Sequence, residues 1–375
     1  PITLKVLLPC SYLFIYEYTC FARSYCLIPF FISCLISLHN ERFHKPWLYT
    51  LCLIGLFNTH VLVFPLAFML LCLYIIDITK ENKWSKATIA ANIIAAVGGG
   101  YLIPYLAMSS TAHKFIQRGD WQYFEKAVTN TILIEGNFLL AAALVIAAFA
   151  VLLTRPKVFL LVLVSMLLTM YILMFKYEGS LRHHGILFLE LFTGFALLPH
   201  YENDKWRLRM KSNILFRKGY YLLCLVILLQ LPETIARYQQ DILEPYSNAK
   251  EAAEYIQQYG LENKVIVAHQ AWAGAALLPY LPKGKKMYYP EKQAFGSYYT
   301  YDSFFFQKTW LLEPGFAMDA TYRKFSKNLD SIIILLNAPL PPQALQFVDL
   351  LYNSDYRAIE TSENYYIYQF KGGVK

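Results

Sequence analysis

The sequence predicts a polytopic α-helical membrane protein of about nine helices, followed by a C-terminal extracytoplasmic α/β domain. Three observations carry that prediction. The 375 residues are 57% hydrophobic and only 16% charged, against roughly 45–50% and about 25% in a soluble domain. Charge is also unevenly spread: residues 1–232 hold 20 Lys and Arg against 11 Asp and Glu, a net +9, whereas residues 233–375 hold 14 against 15, a net −1. Finally, apolar runs near the ~20 residues that cross a bilayer recur through the first part with charged breaks between them. Disorder and a plain soluble enzyme are excluded, and the overall charge of +8 becomes a topology signal instead of a nucleic-acid footprint. Two domains follow: a transmembrane helical domain over 1–232 and an extracytoplasmic α/β domain over 233–375.

The apolar segments fall at 4–19, 21–38, 47–59, 61–78, 87–108, 136–153, 157–175, 184–200 and 214–232. The first is irregular, with Pro9 and Glu17 inside it. Only Phe57-Asn58-Thr59-His60 separates the third from the fourth, which read as a pair of short or tilted helices or as one bent element. Gly98-Gly99-Gly100 has no following Lys-Ser/Thr, so it reads as close helix packing and not as a phosphate loop. The seven cysteines lie in or beside apolar runs and read as small buried hydrophobes; Cys20 and Cys26 are the pair nearest a membrane surface. The chain opens Pro-Ile-Thr, which reads as a fragment or a processed chain.

Orientation follows from Lys and Arg in the short connections. The connections at 39–46, 79–86, 154–157 and 201–218 hold thirteen of them, and the alternate set near 20–23, 57–60, 109–135 and 176–183 holds six. The first set is therefore placed in the cytoplasm and the domain after residue 233 outside. Within that domain, Ser247 caps a helix over Asn248 to Tyr259 with Glu251 near the cap and Gly260 as its stop. Lys264 to Ala268 is a short β-branched strand, Ala271 to Leu281 a helix, and Ser331 to Asn337 a buried strand. Gln343 to Asn353 reads as a helix and Tyr356 to Phe370 as a terminal hairpin about Ser362-Glu363-Asn364. Strands alternating with helices favour a mainly parallel sheet.

Polar groups at membrane depth are expensive, so each is a functional candidate with a structural rival. The candidates fall on the outer side: Glu17, Tyr18, Arg23 and Tyr25 at the first turn, Asn58 and His60 at the second, His113 to Glu135 at the third, and Tyr177 to His184 at the fourth. Arg23 reads either as an interfacial partner of Glu17 or as a clamp for an anionic group, a task its planar fork of donors suits. Arg182-His183-His184 gathers three potential cations at a helix start; Arg182 reads as a phosphate clamp or as an ion-pair partner of Glu178. Metal binding by His183 and His184 lacks a third ligand at recognisable spacing. His60 reads as a polar cap or a ligand, and Glu190 as a hydrogen-bonding partner for a neighbouring helix. Asp120 to Glu125, including Trp121, mixes carboxylates with aromatic faces, which suits a sugar ring and equally an amphipathic helix on the membrane.

Tyr16-Glu17-Tyr18, Ala22-Arg23-Ser24-Tyr25-Cys26-Leu27, Asn58-Thr59-His60 and Tyr177-Glu178-Gly179-Ser180-Leu181-Arg182-His183-His184-Gly185, in that order, resemble the GT-C glycosyltransferases. The nearest resemblance is to bacterial relatives of protein mannosyltransferases and aminoarabinose transferases, over most of residues 10–200. The C-terminal domain is similar to those of uncharacterised members through Ala252 to Ile256, Lys264 to Val267 and Met287 to Pro290. The resemblance implies an integral, multi-pass protein of the inner or plasma membrane. It would transfer a sugar from a polyprenyl-phosphate donor to a lipid, glycan or protein acceptor at the outer face. No cofactor is implied beyond the open question of a divalent metal, and no nucleic-acid partner; the partners are the donor, the acceptor and membrane lipids. Arg182 matches the family's phosphate-contacting arginine, and Arg23 is a second contact. Glu17, Tyr25, His60, Trp121, Glu178, His183 and His184 are then candidate substrate-site residues. The family's catalytic carboxylate sits in the first outer loop, expected here to lie upstream of Pro1, so neither Glu17 nor Asp120 is assigned as the base. The rival readings are a flippase or transporter for lipid-linked saccharides and a non-catalytic assembly subunit.

Overall fold

The structure, a computed structural model, describes residues 10–18, 24–101, 121–134, 136–176, 179–201, 212–297, 313–354, 358–359 and 363–371. The chain folds as two units, Pro1–Ala236 and Arg237–Lys375. The first is helical: a short π-helix at Leu13–Glu17, then α1 (Leu27–Leu38), α2 (Pro46–Phe57), α3 (Phe64–Glu81), α4 (Lys86–Gly100), α5 (Trp121–Ile132), α6 (Phe138–Leu152), α7 (Pro156–Phe175) and α8 (Leu181–Leu197). The next described helix, α9 (Ser212–Leu243), crosses the boundary at 236/237. Among the described residues, four stretches are long and apolar enough to cross a membrane: Val61–Glu81, Pro156–Phe175, Leu181–Tyr201 and Gly219–Leu243. Leu27–Glu41, Pro46–Phe57 and Phe138–Leu152 are apolar but shorter. Leu51, Val97, Leu139, Ile146 and Leu167 stand exposed on these helices, an apolar surface suited to lipid and not to water.

The helix ends follow local chemistry. The third and fourth apolar segments form a pair of helices, because Asn58 Nδ2 and Thr59 Oγ1 turn back to the carbonyls of Ile54 (2.8 Å) and Leu56 (2.7 Å) and close α2. His60 then begins a 3₁₀ turn, Val61–Val63, and Pro65 sits in the first turn of α3, where its missing N–H costs nothing. Ser85 and Thr88 form a reciprocal capping box at the start of α4. A Cβ at Gly99 would come within 2.9 Å of the Phe57 ring, so the expected close packing of α4 on α2 is present.

Helix α8 forms the centre, buried from His183 to Phe195. It packs against α7, α5 and α1. Gly194 permits the approach of α7, since a Cβ there would lie 2.5 Å from Val162 Cγ2. Gly185 does the same for the π-helix, with Leu13 Cδ2 at 2.5 Å from that position. Glu190, fully buried, accepts from Ser165 and Thr169 of α7, both at 2.7 Å, so it bonds the neighbouring helix as its position predicts.

Two expectations change at the unit boundary. The last apolar segment was placed to end at 232, yet α9 continues to Leu243 with Pro232 inside it. Pro232 removes one backbone donor, but the sequence beyond it, Glu233 to Leu243, is rich in Glu, Ala, Arg, Gln and Leu, which favour helix. The units meet at 236/237.

The second unit carries a six-stranded sheet in the order β3-β2-β1-β4-β6-β5. Its elements are α10 (Ala249–Gln258), β1 (Val265–Ala268), α11 (Ala271–Leu277), β2 (Met287–Tyr289), β3 (Ala294–Gly296), α12 (Pro314–Phe325), β4 (Ile332–Leu336), β5 (Val348–Asn353) and β6 (Tyr366–Phe370). Gly260 at φ 64° ends the α10 region as predicted, but the N-cap is Asn248 and not Ser247, whose Oγ accepts from Ala249 N at 3.0 Å from one position earlier. β2, β1 and β4 are parallel, whereas β3, β6 and β5 join antiparallel, so the sheet is mixed. Gln343 to Asn353 is not a helix: a 3₁₀ turn at Pro342–Gln346 precedes strand β5. The spacing of Ala344, Val348 and Leu351 suits a helix, but pairing of β5 along β6 prevails. The terminal hairpin is therefore β5–β6, and its first arm is Val348–Asn353, not the stretch after Tyr356. The β2–β3 hairpin was not anticipated.

Candidate functional site

The connections of the helical unit alternate between two polar clusters. One gathers residues beside the connections near 39–46, 79–86 and 154–157 and the end of α8. Asp77, almost wholly buried, lies 3.1 Å from Arg42 Nη2 and 2.9 Å from Lys157 Nζ, and the Tyr201 hydroxyl donates to it. The Arg42 guanidinium stacks 4.3 Å over Phe43, and the His39 and His200 rings approach to 4.8 Å. A buried carboxylate so surrounded is a structural tie between α3, α7 and the end of α8.

The other cluster forms at the start of α8 and draws on the alternate connections. Tyr25 lies at its centre, buried, with its hydroxyl 2.8 Å from His183 Nε2 and 3.2 Å from His60 Nε2. The backbone fixes both imidazoles. Ser180 N–H donates to His183 Nδ1 at 2.8 Å, and Leu62 N–H donates to His60 Nδ1 at 3.2 Å. An Nδ1 that accepts a backbone proton carries none itself, so in each ring the proton sits on Nε2. Two Nε2–H donors then converge on one phenolic oxygen. His60 is thus a polar cap, as one reading of the sequence has it, and at the same time a partner of Tyr25.

His184, one residue on and about 100° around the helix, faces α5. Asn130 Nδ2 donates to its Nδ1 at 3.2 Å and its Nε2 lies 3.1 Å from the Tyr123 hydroxyl, which also accepts from Gly179 N–H at 2.6 Å. The two adjacent histidines therefore repeat one device on two faces: a tyrosine oxygen receiving two N–H donors. The Tyr18 ring stacks on Tyr25 at 6.1 Å, and its hydroxyl donates to the Arg182 carbonyl at 3.0 Å.

Of the residues expected in a substrate site, the structure brings together Tyr25, His60 and His183, with Arg182 and His184 beside them on α8. Glu17 is buried one residue before Tyr18 and accepts from Tyr12 at 3.3 Å. Trp121 is exposed; its indole N–H bonds Glu125 at 2.5 Å and its ring meets Phe124 and Phe138, so it is not part of the cluster. The second half of α5 is buried and packs on α8, so this segment is not an amphipathic helix lying only on a membrane surface. Arg23, Glu178, Asp120 and Cys20 lie outside the described residues. Tyr18 belongs to the first-turn candidates and Tyr123 to the aromatic stretch after Asp120, whereas Asn130 carries no separate signal in the sequence. Asp77 was missed as a tie, although it is the one acid within its apolar run. Among the described residues no group of three or more His, Cys, Asp or Glu is placed to hold a metal.

No family model, curated protein or solved structure matches the chain.

Proposed function

We propose that the protein is a membrane glycosyltransferase that moves a sugar from a polyprenyl-phosphate donor to an acceptor at the outer membrane face, the C-terminal unit lying on that same side. The observation that supports this reading is the convergence of Tyr25, His60 and His183 at the start of α8, next to Arg182. Three separate connections contribute to it, and all belong to the set poor in Lys and Arg.

The chemistry asked of such a site is stabilisation of a leaving lipid phosphate. A helix N-terminus carries partial positive charge and Arg182 adds a planar fork of donors at the same level. Both act on charge that develops as the glycosidic bond to phosphate breaks, where fixed donors are most effective. The histidines and Tyr25 tie the turn before α1, the turn before α3 and the start of α8 into one frame, so that Arg182 is held on rigid elements. Arg23, as a second phosphate contact, and Glu178 belong to the same proposal.

The test is transfer of radiolabelled sugar from polyprenyl-phosphate donors in membranes containing the protein. Arg182→Ala is expected to lose transfer by at least about a hundredfold, the scale of losing one transition-state donor, while insertion and yield persist. Undiminished transfer removes the clamp. Absence of transfer by correctly inserted parent protein with every donor removes the enzyme reading and favours a flippase or assembly subunit.

A further inference from the structure

Three described non-glycine residues hold positive φ: Asn82, Gln270 and Gln293. Asn82 caps α3 in a left-handed conformation that asparagine tolerates. The other two lie together in the C-terminal unit. Gln270 (φ 58°) follows β1 and Gln293 (φ 52°) lies in the turn after β2. Because β1 and β2 run parallel, both residues sit at the carboxyl ends of strands.

That edge is where the winding of the sheet reverses. From β1 the chain passes through α11 to β2 on one side, then returns through α12 to β4 on the other. Helix α11 packs with Ala268, Met287 and Leu335, whereas Ala317 of α12 packs with Ile334 and Leu336, so the two helices cover opposite faces. Open α/β sheets hold their ligands in the crevice that such a reversal opens, outside the carboxyl ends of the strands.

The residue at the crevice is held against its backbone preference from several directions. Gln270 N–H donates to the Glu291 carboxylate, and the Asn337 amide, just past β4, donates to Gln270 Oε1. His269 Nδ1 lies 2.8 Å from the same carboxylate, and His269 and Glu291 are both buried. Backbone strain maintained in this over-determined way concentrates at sites that bind.

A cavity of about 350 Å³ opens alongside, lined by Tyr288, Gln293, Phe316, Asp319, Arg323 and Lys324 among others. This is the scale of a small-molecule site. Phe316 joins the two features, its ring centroid 6.5 Å from that of His269. The lining combines three kinds of recognition. Arg323 and Lys324 supply two cations against the single Asp319, which favours an anion. Phe316, which is exposed, offers a ring face, and Asp319 and Gln293 offer acceptors for hydroxyl groups.

We infer that this crevice binds a phosphorylated monosaccharide, the phosphate on Arg323 and Lys324 and the sugar against the exposed ring of Phe316. As a place to hold acceptor or donor headgroup it rests on the transferase reading, but the binding itself does not.

The experiment is calorimetric titration of the whole protein in detergent with glucose 1-phosphate, with glucose and inorganic phosphate as separate arms. Glucose 1-phosphate is expected to bind saturably, at least about tenfold more tightly than either half alone, a tenfold step being the smallest that one good contact produces. The doubly substituted Arg323→Gln, Lys324→Gln protein is expected to bind it at least about tenfold more weakly. Both side chains are exposed, so this variant keeps the fold, which circular dichroism checks. Equal binding of inorganic phosphate, an unchanged affinity in the variant, or no saturable binding to folded protein each overturns the inference. Binding as expected by a protein that transfers no sugar leaves this site standing and removes only the transferase.

Discussion

Replacing Tyr25 by Phe keeps the ring and removes the oxygen on which two imidazole N–H groups converge. The cost follows from the burial of each donor. A buried donor left without its acceptor costs about 1–3 kcal/mol. His183 is buried and bears that penalty in full, whereas His60 is half-buried and bears part of it. The expected loss for Tyr25→Phe is therefore about 2–4 kcal/mol. It is measured by reversible unfolding in mixed detergent micelles, with His183→Phe and the double variant completing a cycle. Coupling between positions 25 and 183 of at least about 1 kcal/mol is expected for groups in direct contact. Nitrogen-15 spectra of labelled histidine supply an independent readout, with both rings protonated at Nε2. A loss below about 0.5 kcal/mol, the size of an ordinary surface substitution, or a proton on Nδ1 of either ring, refutes the reasoning.

Three further outcomes are expected from the same unfolding measurement. Asp77→Ala removes the carboxylate between Arg42 and Lys157 and is expected to cost about 3 kcal/mol, the low end for a broken buried pair because Glu81 stays 3.8 Å from Arg42; an unchanged midpoint shows that this tie does not hold its end of the bundle. Glu190→Gln keeps an acceptor for Ser165 and Thr169 and is expected within about 1 kcal/mol of the parent, whereas Glu190→Ala takes the acceptor from Ser165 and leaves Thr169 only the Leu62 carbonyl at 3.4 Å, and costs about 1–3 kcal/mol; equal effects contradict the assignment. Gly194→Ala places a methyl 2.5 Å from Val162 Cγ2 and is expected to cost about 1–3 kcal/mol through overpacking, and a neutral result means that α7 yields without penalty.

Much of the helical unit is legible in the sequence because hydrophobicity at bilayer scale is a strong, one-dimensional signal. Each of the second to ninth apolar segments coincides with a helix, and the Asn58-Thr59-His60 break works through the side chains that suggested it. The two polar ends were legible only in part. Charge counting sorted the connections into alternate sets, but it treated Arg42 and Lys157 as topology markers and so passed over Asp77 between them. At the other end, Tyr25, His60 and His183 were candidates from three separate motifs. Their meeting on one oxygen depends on tertiary approach between residues up to 158 positions apart, which no local pattern encodes. In the C-terminal unit the buried strands β1 and β4 were clear from β-branched runs. Strand β5 was not, because Ala344, Val348 and Leu351 fit a helical stripe until β6 claims the backbone. Gln270 carried no signal at all, since glutamine is not a residue that marks a left-handed turn.

Helix α8 bears on how the protein is made. Tyr18 and Tyr25 find their partners 164 and 158 residues later, and Tyr123 finds Gly179 after 56. A nascent chain halted before residue 179 can insert its early helices, yet it offers Tyr25 only His60 and lacks the Arg182 carbonyl, His183, Gly179 and His184 that these hydroxyls meet in the finished fold. Closure of the long loops must precede the contacts that reward it, which makes such arrangements slow to form and vulnerable while open. Assembly of this end of the bundle is thereby tied to the arrival of α8, so a lesion in that one helix should be read by membrane quality control as an unfinished protein even when every earlier segment has inserted correctly.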